Sequence, residues 1–490
     1  MAGERRPTRR PLRVLHVAAE IYPWVKAGGL GDVIGALPAA LATEGVEARL
    51  CLPGYRPLLD AARVSDVVRL ATPFAAERVR IGLAHLPGQP PAYIVDHPVF
   101  YDRPGGPYGP DSGEWPDNHR RFALLGWAAA ALANGADPRW QPRVIHGHDW
   151  HAGLAPAYAR AFGATAASVL TVHNLAYRGW YPASLFGELG LPPDYFSING
   201  VEFYGGVAFL KAGLFYADRL TTVSPTYARE IQTPALGEGL DGLLRGRQAA
   251  LSGILNGVDP AVWNPANDAA LPRGYGVADA AEGKAAAKVA LQRRLGLAID
   301  VDAPLFGIVT RLTSQKGIDL ILAALPELVG RGIGLVVLGS GDRDLESGFT
   351  AVAASSAGRV AASIGYDEAL ARLIFAGADA VLVPSRFEPC GLTQLYALRY
   401  GALPLVRRTG GLADTVVDAT PEGIADGTAT GFVFDEASAP ALSAAVARAV
   451  GVYHGDRATW HCMMRQAMTR DFSWRQAARQ YVALYRELVD

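Results

Sequence analysis

Cysteine is scarce. Cys51, Cys390 and Cys462 are the only three in 490 residues, and they stand far apart. That spacing builds neither a disulfide framework nor a zinc ribbon, and it suits a reducing cytoplasm. Net charge is also missing: 46 Lys and Arg against 47 Asp and Glu leave a formal charge of -1. A balanced chain has no global pull toward nucleic acid or an anionic membrane surface. No uninterrupted apolar run reaches the roughly 18 residues of a membrane helix. The Arg-rich start (Arg5, Arg6, Arg9, Arg10) has no apolar segment behind it, so it reads as a disordered tail and not as a secretory signal. No GxxxxGK[ST] occurs, which excludes a P-loop, and no complete GxGxxG opens a helix after the first strand, which argues against a nicotinamide dehydrogenase.

What is present is a globular α/β pattern. Half of the residues are hydrophobic and 19% are charged, and the length exceeds one compact core, so two domains are expected. Short apolar runs alternate with helical stripes from end to end, the pattern of βαβ units around a parallel sheet. Leu12 to Ala18 reads as the first strand, and the turn Lys26 to Leu30 follows it. A helical stripe then runs through Leu30, Val33, Ile34, Leu37 and Leu41, with Pro38 expected to kink it. Val144–Ile145, Val169 to Val172 and Leu220 to Val223 read as later strands. Ser224-Pro225 reads as a capped helix start. The pattern restarts near residue 305 with Phe306 to Thr310, Leu335 to Leu338, Ala380 to Val383 and Leu403 to Val406. Between the halves, Val262 to Lys284 is weak in periodicity and reads as a connecting loop. Ser473 is expected to cap a last, aromatic helix. The expected division is a tail at 1–11, a first domain at 12–260 completed by 474–490, and a second at 261–473. Two Rossmann-like domains facing each other would leave a central cleft at the carboxyl ends of their strands.

The segment SRFEPCGLTQ, Ser385 to Gln394, carries the most chemistry. It follows a buried strand, presents one carboxylate, Glu388, and opens a helix through Gly391, Leu392 and Thr393. Free N–H groups at a helix start accept phosphate, while the carboxylate faces what the phosphate carries. A sugar nucleotide has that form. Arg311 and Lys316 flank the turn after the Phe306 strand, where two cations neutralise a diphosphate leaving group without metal. Thr409, Gly410 and Gly411 repeat the Gly-then-helix arrangement, as do Lys26, Gly28 and Gly29 in the first half. His146, His148 and His151 resemble a metal cluster, yet successive strand residues alternate faces, so the three need not converge and no metal is expected. Asp149 is the better polar contact for a sugar. His173 bonds a hydroxyl, stabilises developing charge, or is structural. Asn256 is a turn residue or a cleft contact. Tyr366 stacks on a base or faces the core. Cys390 has no neighbouring His and is no nucleophile.

In combination, KAGGLGDV, HGHDWHAG, TVHNLAY, VSPTYARE, GILNGVD, TRLTSQKG, IGYDEA, SRFEPCGLTQLYALRYG and RTGGLADTV resemble one family, the bacterial glycogen synthases, related to plant starch synthases. Each motif alone is modest; nine in order are specific. The resemblance runs from about residue 12 to the C-terminus. It implies the GT-B glycosyltransferase architecture, with the C-terminal helix crossing back to the first domain. It implies transfer of α-D-glucose from ADP-glucose to the non-reducing end of an α-1,4-glucan with retention, releasing ADP, with no metal or other cofactor, in the cytoplasm. By the same resemblance, Arg311 and Lys316 stabilise the diphosphate and Glu388 lies close to the donor glucose. Gly391, Leu392 and Thr393, with Cys390 in the same segment, take phosphates or sugar hydroxyls. Lys26, Gly28 and Gly29 reach the donor. His173 lies near the glucose, Asp149 on the acceptor side, Asn256 in the cleft and Tyr366 over the adenine. Thr409, Gly410 and Gly411 lie near the sugar and distal phosphate.

One position departs from many related retaining transferases, which carry a second Glu eight residues after the first. Here it is Tyr396, so the ribose contact of that Glu has no counterpart in the pattern. The rivals are a UDP-glucose-dependent transferase of the same fold, a catalytically silent glucan-binding protein, and a glucan phosphorylase, which would need pyridoxal phosphate.

Overall fold

The computed structural model describes residues 11–110 and 113–490; of the expected basic tail, all but Pro11 lies outside them. The chain divides into two compact units, Met1–Gly257 with Trp474–Asp490, and Val258–Ser473. Among the described residues no helix is long and apolar enough to cross a membrane.

In unit 1, the strands are β1 (Leu12–Val17), β2 (Val46–Pro53), β3 (Ser65–Thr72), β4 (Ala75–Ala84), β5 (Ala92–Asp96), β6 (Val144–His148), β7 (Ala167–Val172), β8 (Trp180–Pro182), β9 (Glu202–Phe203), β10 (Gly206–Ala208), β11 (Arg219–Thr222) and β12 (Leu251–Gly253). Nine of them form one sheet in the order β12-β11-β7-β6-β1-β2-β5-β4-β3, and β8-β10-β9 form a small second sheet. The strands from β12 to β5 pair in parallel, while β4 and β3 add an antiparallel edge. Chain order reverses between β1 and β6, so the crevice at their carboxyl ends is the topological switch point, where open α/β sheets bind ligands.

The apolar stripe of the helix Gly29–Thr43 is buried as the spacing predicts, and the helix continues through Pro38. Ser224 caps the helix Pro225–Glu230, its Oγ accepting from Tyr227 N at 3.1 Å. The C-terminal helix Trp474–Val489 buries Trp474, Ala477, Ala478, Tyr481, Val482, Leu484 and Tyr485. They pack with Val33, Leu37 and Leu41 and with the strand residues Leu12, Val14, Val144 and Val169. This is the surface that so aromatic a helix needs: it closes one face of the sheet of unit 1.

Unit 2 holds β13 (Leu305–Val309), β14 (Gly334–Gly339), β15 (Val360–Ile364), β16 (Ala380–Val383), β17 (Leu403–Arg407) and β18 (Phe432–Phe434). All pair in parallel, in the order β15-β14-β13-β16-β17-β18. This is a doubly wound Rossmann sheet whose switch point lies between β13 and β16. The strands β13, β14, β16, β17 and β18 are almost wholly buried, which is why they read as apolar runs, while the edge strand β15 is half-buried.

The connecting loop expected to reach Lys284 ends sooner: a helix occupies Ala280–Leu295 and belongs to unit 2. Its buried face carries Lys284, Lys288 and Gln292, so polar residues conceal its period. Lys284 Nζ donates to the carbonyls of Phe375, Ala376, Ala378 and Tyr400 at 3.2, 2.8, 2.9 and 3.3 Å. It thereby satisfies the end of the helix Glu368–Gly377, whose last carbonyls have no partner within the helix. Lys284→Met keeps much of the apolar stem and removes the donor. We expect it to cost about 1–3 kcal/mol of stability, seen in thermal unfolding as a fall of roughly 2–4 °C per kcal/mol.

Candidate functional site

In unit 2 the loops after β13 and β16 meet at the switch point. Gly317 takes a φ of +66°, and a Cβ there would lie 2.2 Å from Pro384 O. Glycine therefore lets the TSQKG turn press against the SRFEP loop. Arg386 N donates to Gln315 O at 2.8 Å, and Arg386 pairs with Asp319 through two bonds of 2.6 and 2.7 Å. Across this seam Lys316 Nζ bonds both oxygens of Glu388, at 2.8 and 2.6 Å. Ser385 Oγ adds a third bond to Glu388 Oε2 at 2.8 Å. The Glu388 side chain is 7% exposed and that of Lys316 18%, so the pair is held with little water around it.

That arrangement refines the expected pair of cations. An ammonium has three donors, and Glu388 engages Lys316 on both of its oxygens, so much of its charge is already offset. Arg311, exposed just beyond the same strand and in no ion pair among the described residues, brings the further positive charge. Ser385 was missed as a site residue; the signal was a hydroxyl three residues before the carboxylate.

The turn at Thr409 lies against the same loop. Gly411 N approaches Glu388 O at 3.1 Å and Pro389 O at 3.2 Å. A Cβ on Gly410 would meet Glu388 O at 1.9 Å, and one on Gly411 would meet Cys390 O at 2.1 Å. Thr409 and Cys390 are buried. The helices that follow, Thr393–Arg399 and Gly410–Thr415, are short, so they offer free N–H groups more than a summed dipole. Gly391 has a φ of +75°, Leu392 precedes the first of these helices, and Thr393 Oγ1 donates to Val309 O at 3.2 Å. Gly411→Ala must displace backbone, and we expect it to destabilise unit 2 by roughly 1–3 kcal/mol, measured by urea unfolding.

Tyr366 is 79% exposed, with its hydroxyl 3.1 Å from Glu368; it is available for stacking and does not face the core. Tyr396 stacks on Trp263, ring centroids 3.8 Å apart, so the position of the absent second Glu serves packing.

In unit 1 the switch point carries Asp149, at the end of β6. Its φ of 57° and ψ of -171° lie in a region that costs a non-glycine residue strain. Asp149 N donates to Thr171 O at 2.8 Å, and Oδ1 accepts from His173 N at 2.7 Å and Asn174 N at 3.3 Å. The carboxyl thus ties the end of β6 to that of β7. Burial raises Asp149 to about 7, outweighing the two backbone donors, while the nearby Glu20 also pushes it up. Burial lowers His173 to about 3, although part of its surface stays open.

The loop after β1 holds Lys26, Gly28 and Gly29. Glu20, which the sequence reading overlooked, accepts from Ala27 N at 2.7 Å and Gly28 N at 3.0 Å and from the Tyr108 hydroxyl. Lys26 Nζ pairs with Asp32 at 2.8 Å. Asn256 is buried beyond β12, at the far edge of this sheet, so no strand joins it to Asp149 or His173.

His146, His148 and His151 do not all converge, as expected, but two of them meet a further histidine. His146 and His148, two residues apart on β6, share a face and meet His16 of β1. Candidate ligand nitrogens of the three lie within 4.8 Å of one another. His151 turns away and stacks on Tyr108, centroids 4.6 Å apart. His146 bonds the Tyr485 hydroxyl and Thr171 Oγ1, each at 2.6 Å, so the C-terminal helix caps this group. A metal there would have to displace those bonds.

The family described as starch synthase catalytic domain matches residues 13–246, and that described as glycosyl transferases group 1 matches residues 293–451. A glycogen synthase of Francisella philomiragia is 51% identical, over 98% of this chain and 100% of the relative. One from Variovorax paradoxus is 53% identical, over 98% and 99%. Among solved structures, the catalytic domain of starch synthase IV from Arabidopsis thaliana, bound to ADP and acarbose, superposes with a TM-score of 0.87 at 34% identity, covering 98% of this chain and all of that one. A sucrose-phosphate synthase from Thermosynechococcus elongatus, with a TM-score of 0.60 at 20% identity, shares the fold alone. Two Rossmann-like units of the GT-B class and likeness of this depth along nearly the whole length leave one assignment: the chain belongs to the glycogen synthase family.

Proposed function

We propose that this enzyme moves α-D-glucose from ADP-glucose to the non-reducing end of an α-1,4-glucan, with retention, and releases ADP. The observation that carries the reading is the Lys316–Glu388 pair across the switch point of unit 2, beside an exposed Arg311, in a chain of this family. A starch synthase that superposes on the chain was solved with ADP and acarbose, a nucleoside diphosphate and a glucan-like oligosaccharide, which supports both substrate classes.

The bond from glucose C1 to the phosphate oxygen breaks, and its electron pair goes to the departing ADP. Arg311, the remaining donor of Lys316 and the N–H groups near Thr393 and Gly410 stabilise that charge, so the step needs no metal. Glu388, bonded on both oxygens by Lys316, faces the oxocarbenium-like sugar. The acceptor 4-hydroxyl attacks from the side ADP leaves, and its proton passes to a phosphate oxygen. By the family resemblance, His173 is assigned to a glucosyl hydroxyl and Asp149 to the acceptor. Tyr366 stacks on the adenine. The few, widely spaced cysteines fit work in a reducing cytoplasm.

The test is product analysis. ADP-glucose with a short maltooligosaccharide should yield a ladder lengthened one glucose at a time, with each new linkage α by proton NMR. A β linkage, or free glucose without elongation, would refute the reading.

A further inference from the structure

On one face of the sheet of unit 1 the side chains change character along the strands. Leu12 and Val14 of β1, Val144 of β6 and Val169 of β7 are apolar. Toward the carboxyl ends of the same strands the face becomes His16, His146, His148 and Thr171, all buried. Three imidazoles run in line from there to the site. His16 Nδ1 lies 3.1 Å from His148 Nε2, and His148 Nδ1 lies 3.1 Å from His173 Nε2.

Each neutral imidazole carries one N–H and one lone pair. Burial holds all three rings neutral. The two bonds therefore permit only two arrangements. In one, every N–H points toward the site: His16 Nδ1–H to His148, His148 Nδ1–H to His173, and the proton of His173 on Nδ1. In the other, every N–H points inward and His16 carries its proton on Nε2. His16 Nε2 is buried and meets no hydrogen-bond partner among the described residues. An N–H placed there would be an orphaned donor, which folded proteins avoid more strictly than an unused lone pair.

We propose that His16 and His148 are positioning residues that fix the tautomer of His173, so that its Nδ1 presents an N–H to the substrate. His173 then donates and does not accept: it can bond a sugar hydroxyl oxygen or developing negative charge, and it cannot serve as the base toward an acceptor hydroxyl. This rests on the proposed role of His173 at the donor sugar and specifies it.

The decisive experiment needs no substitution in the working enzyme. Protein labelled with 15N in histidine, its His173 signals assigned by loss in His173→Gln, should show the proton on Nδ1. A proton on Nε2 overturns the proposal, as does one tightly bound transition metal per chain by elemental analysis, since a metal would take the lone pairs. Kinetics supply a second readout. His148→Leu should lower kcat at least roughly tenfold with little change in KM, and His148→Asn, whose amide can donate near the position of Nδ1, should restore much of it. Equal loss in both variants overturns the proposal. If no glucosyl transfer occurs at all, the ring signals still report the tautomer, so the two readings fail separately.

Discussion

Lys316→Ala should lower kcat for glucosyl transfer by roughly 100- to 1,000-fold, the usual effect of removing one preorganised donor from developing charge. It should also destabilise unit 2. Glu388 is almost wholly buried, and Lys316 is the cation bonding both of its oxygens. Removing one partner of a buried pair costs about 3–5 kcal/mol, because the other charge stays buried and uncompensated. The two effects separate in the double variant Lys316→Ala/Glu388→Ala, which should regain much of the stability and none of the activity. A double-variant cycle by urea unfolding and initial rates measures both. If Lys316→Ala turns over ADP-glucose near the wild-type rate, Lys316 has no part in stabilising the leaving group.

Asp149→Asn should separate stability from activity in the opposite sense. The folded pKa, about 7, lies above the 3.8 usual for an exposed carboxyl. The folded state therefore binds the extra proton between these values, and stability falls as pH rises from about 4 through about 7. Asparagine keeps the Oδ1 acceptor used by His173 N and Asn174 N and carries no charge. The variant should be more stable than wild type at pH 8 by on the order of a few kcal/mol, at about 1.4 kcal/mol per pKa unit, and the gain should shrink toward pH 5. Transfer should fall by roughly 100-fold, as for loss of a group that positions the acceptor. Thermal unfolding at the two pH values, with rates at each, checks it. A stability gain independent of pH would show that the carboxyl is not held protonated by its burial.

The central parallel strands of both units were legible because burial on two faces makes each a continuous apolar run, as in Ala380–Val383, whereas the edge strands β12 and β15 are less buried and were not. The helix Ala280–Leu295 was not, because Lys284, Lys288 and Gln292 occupy its inner face. The antiparallel edge strand β3 is largely exposed and lacks such a run. Within the site, loop positions could be read from strand ends and glycines, since Gly317, Gly410 and Gly411 mark close backbone approaches. Pairings could not: Lys316 and Glu388 are 72 residues apart, and only the strand order β13-β16 brings them together. The histidine line was within reach, because residues two apart on a strand share a face. Alternation parts direct neighbours on β6, while His146 and His148 share a face, and His16 on the adjoining strand pairs in register with His146.

The central claim is tested most directly by nucleoside diphosphate release from ADP-glucose and, separately, from UDP-glucose, each with and without glycogen. ADP release that depends on glycogen, with UDP-glucose much the poorer donor, is the predicted result. No release from either donor by folded protein would contradict the account.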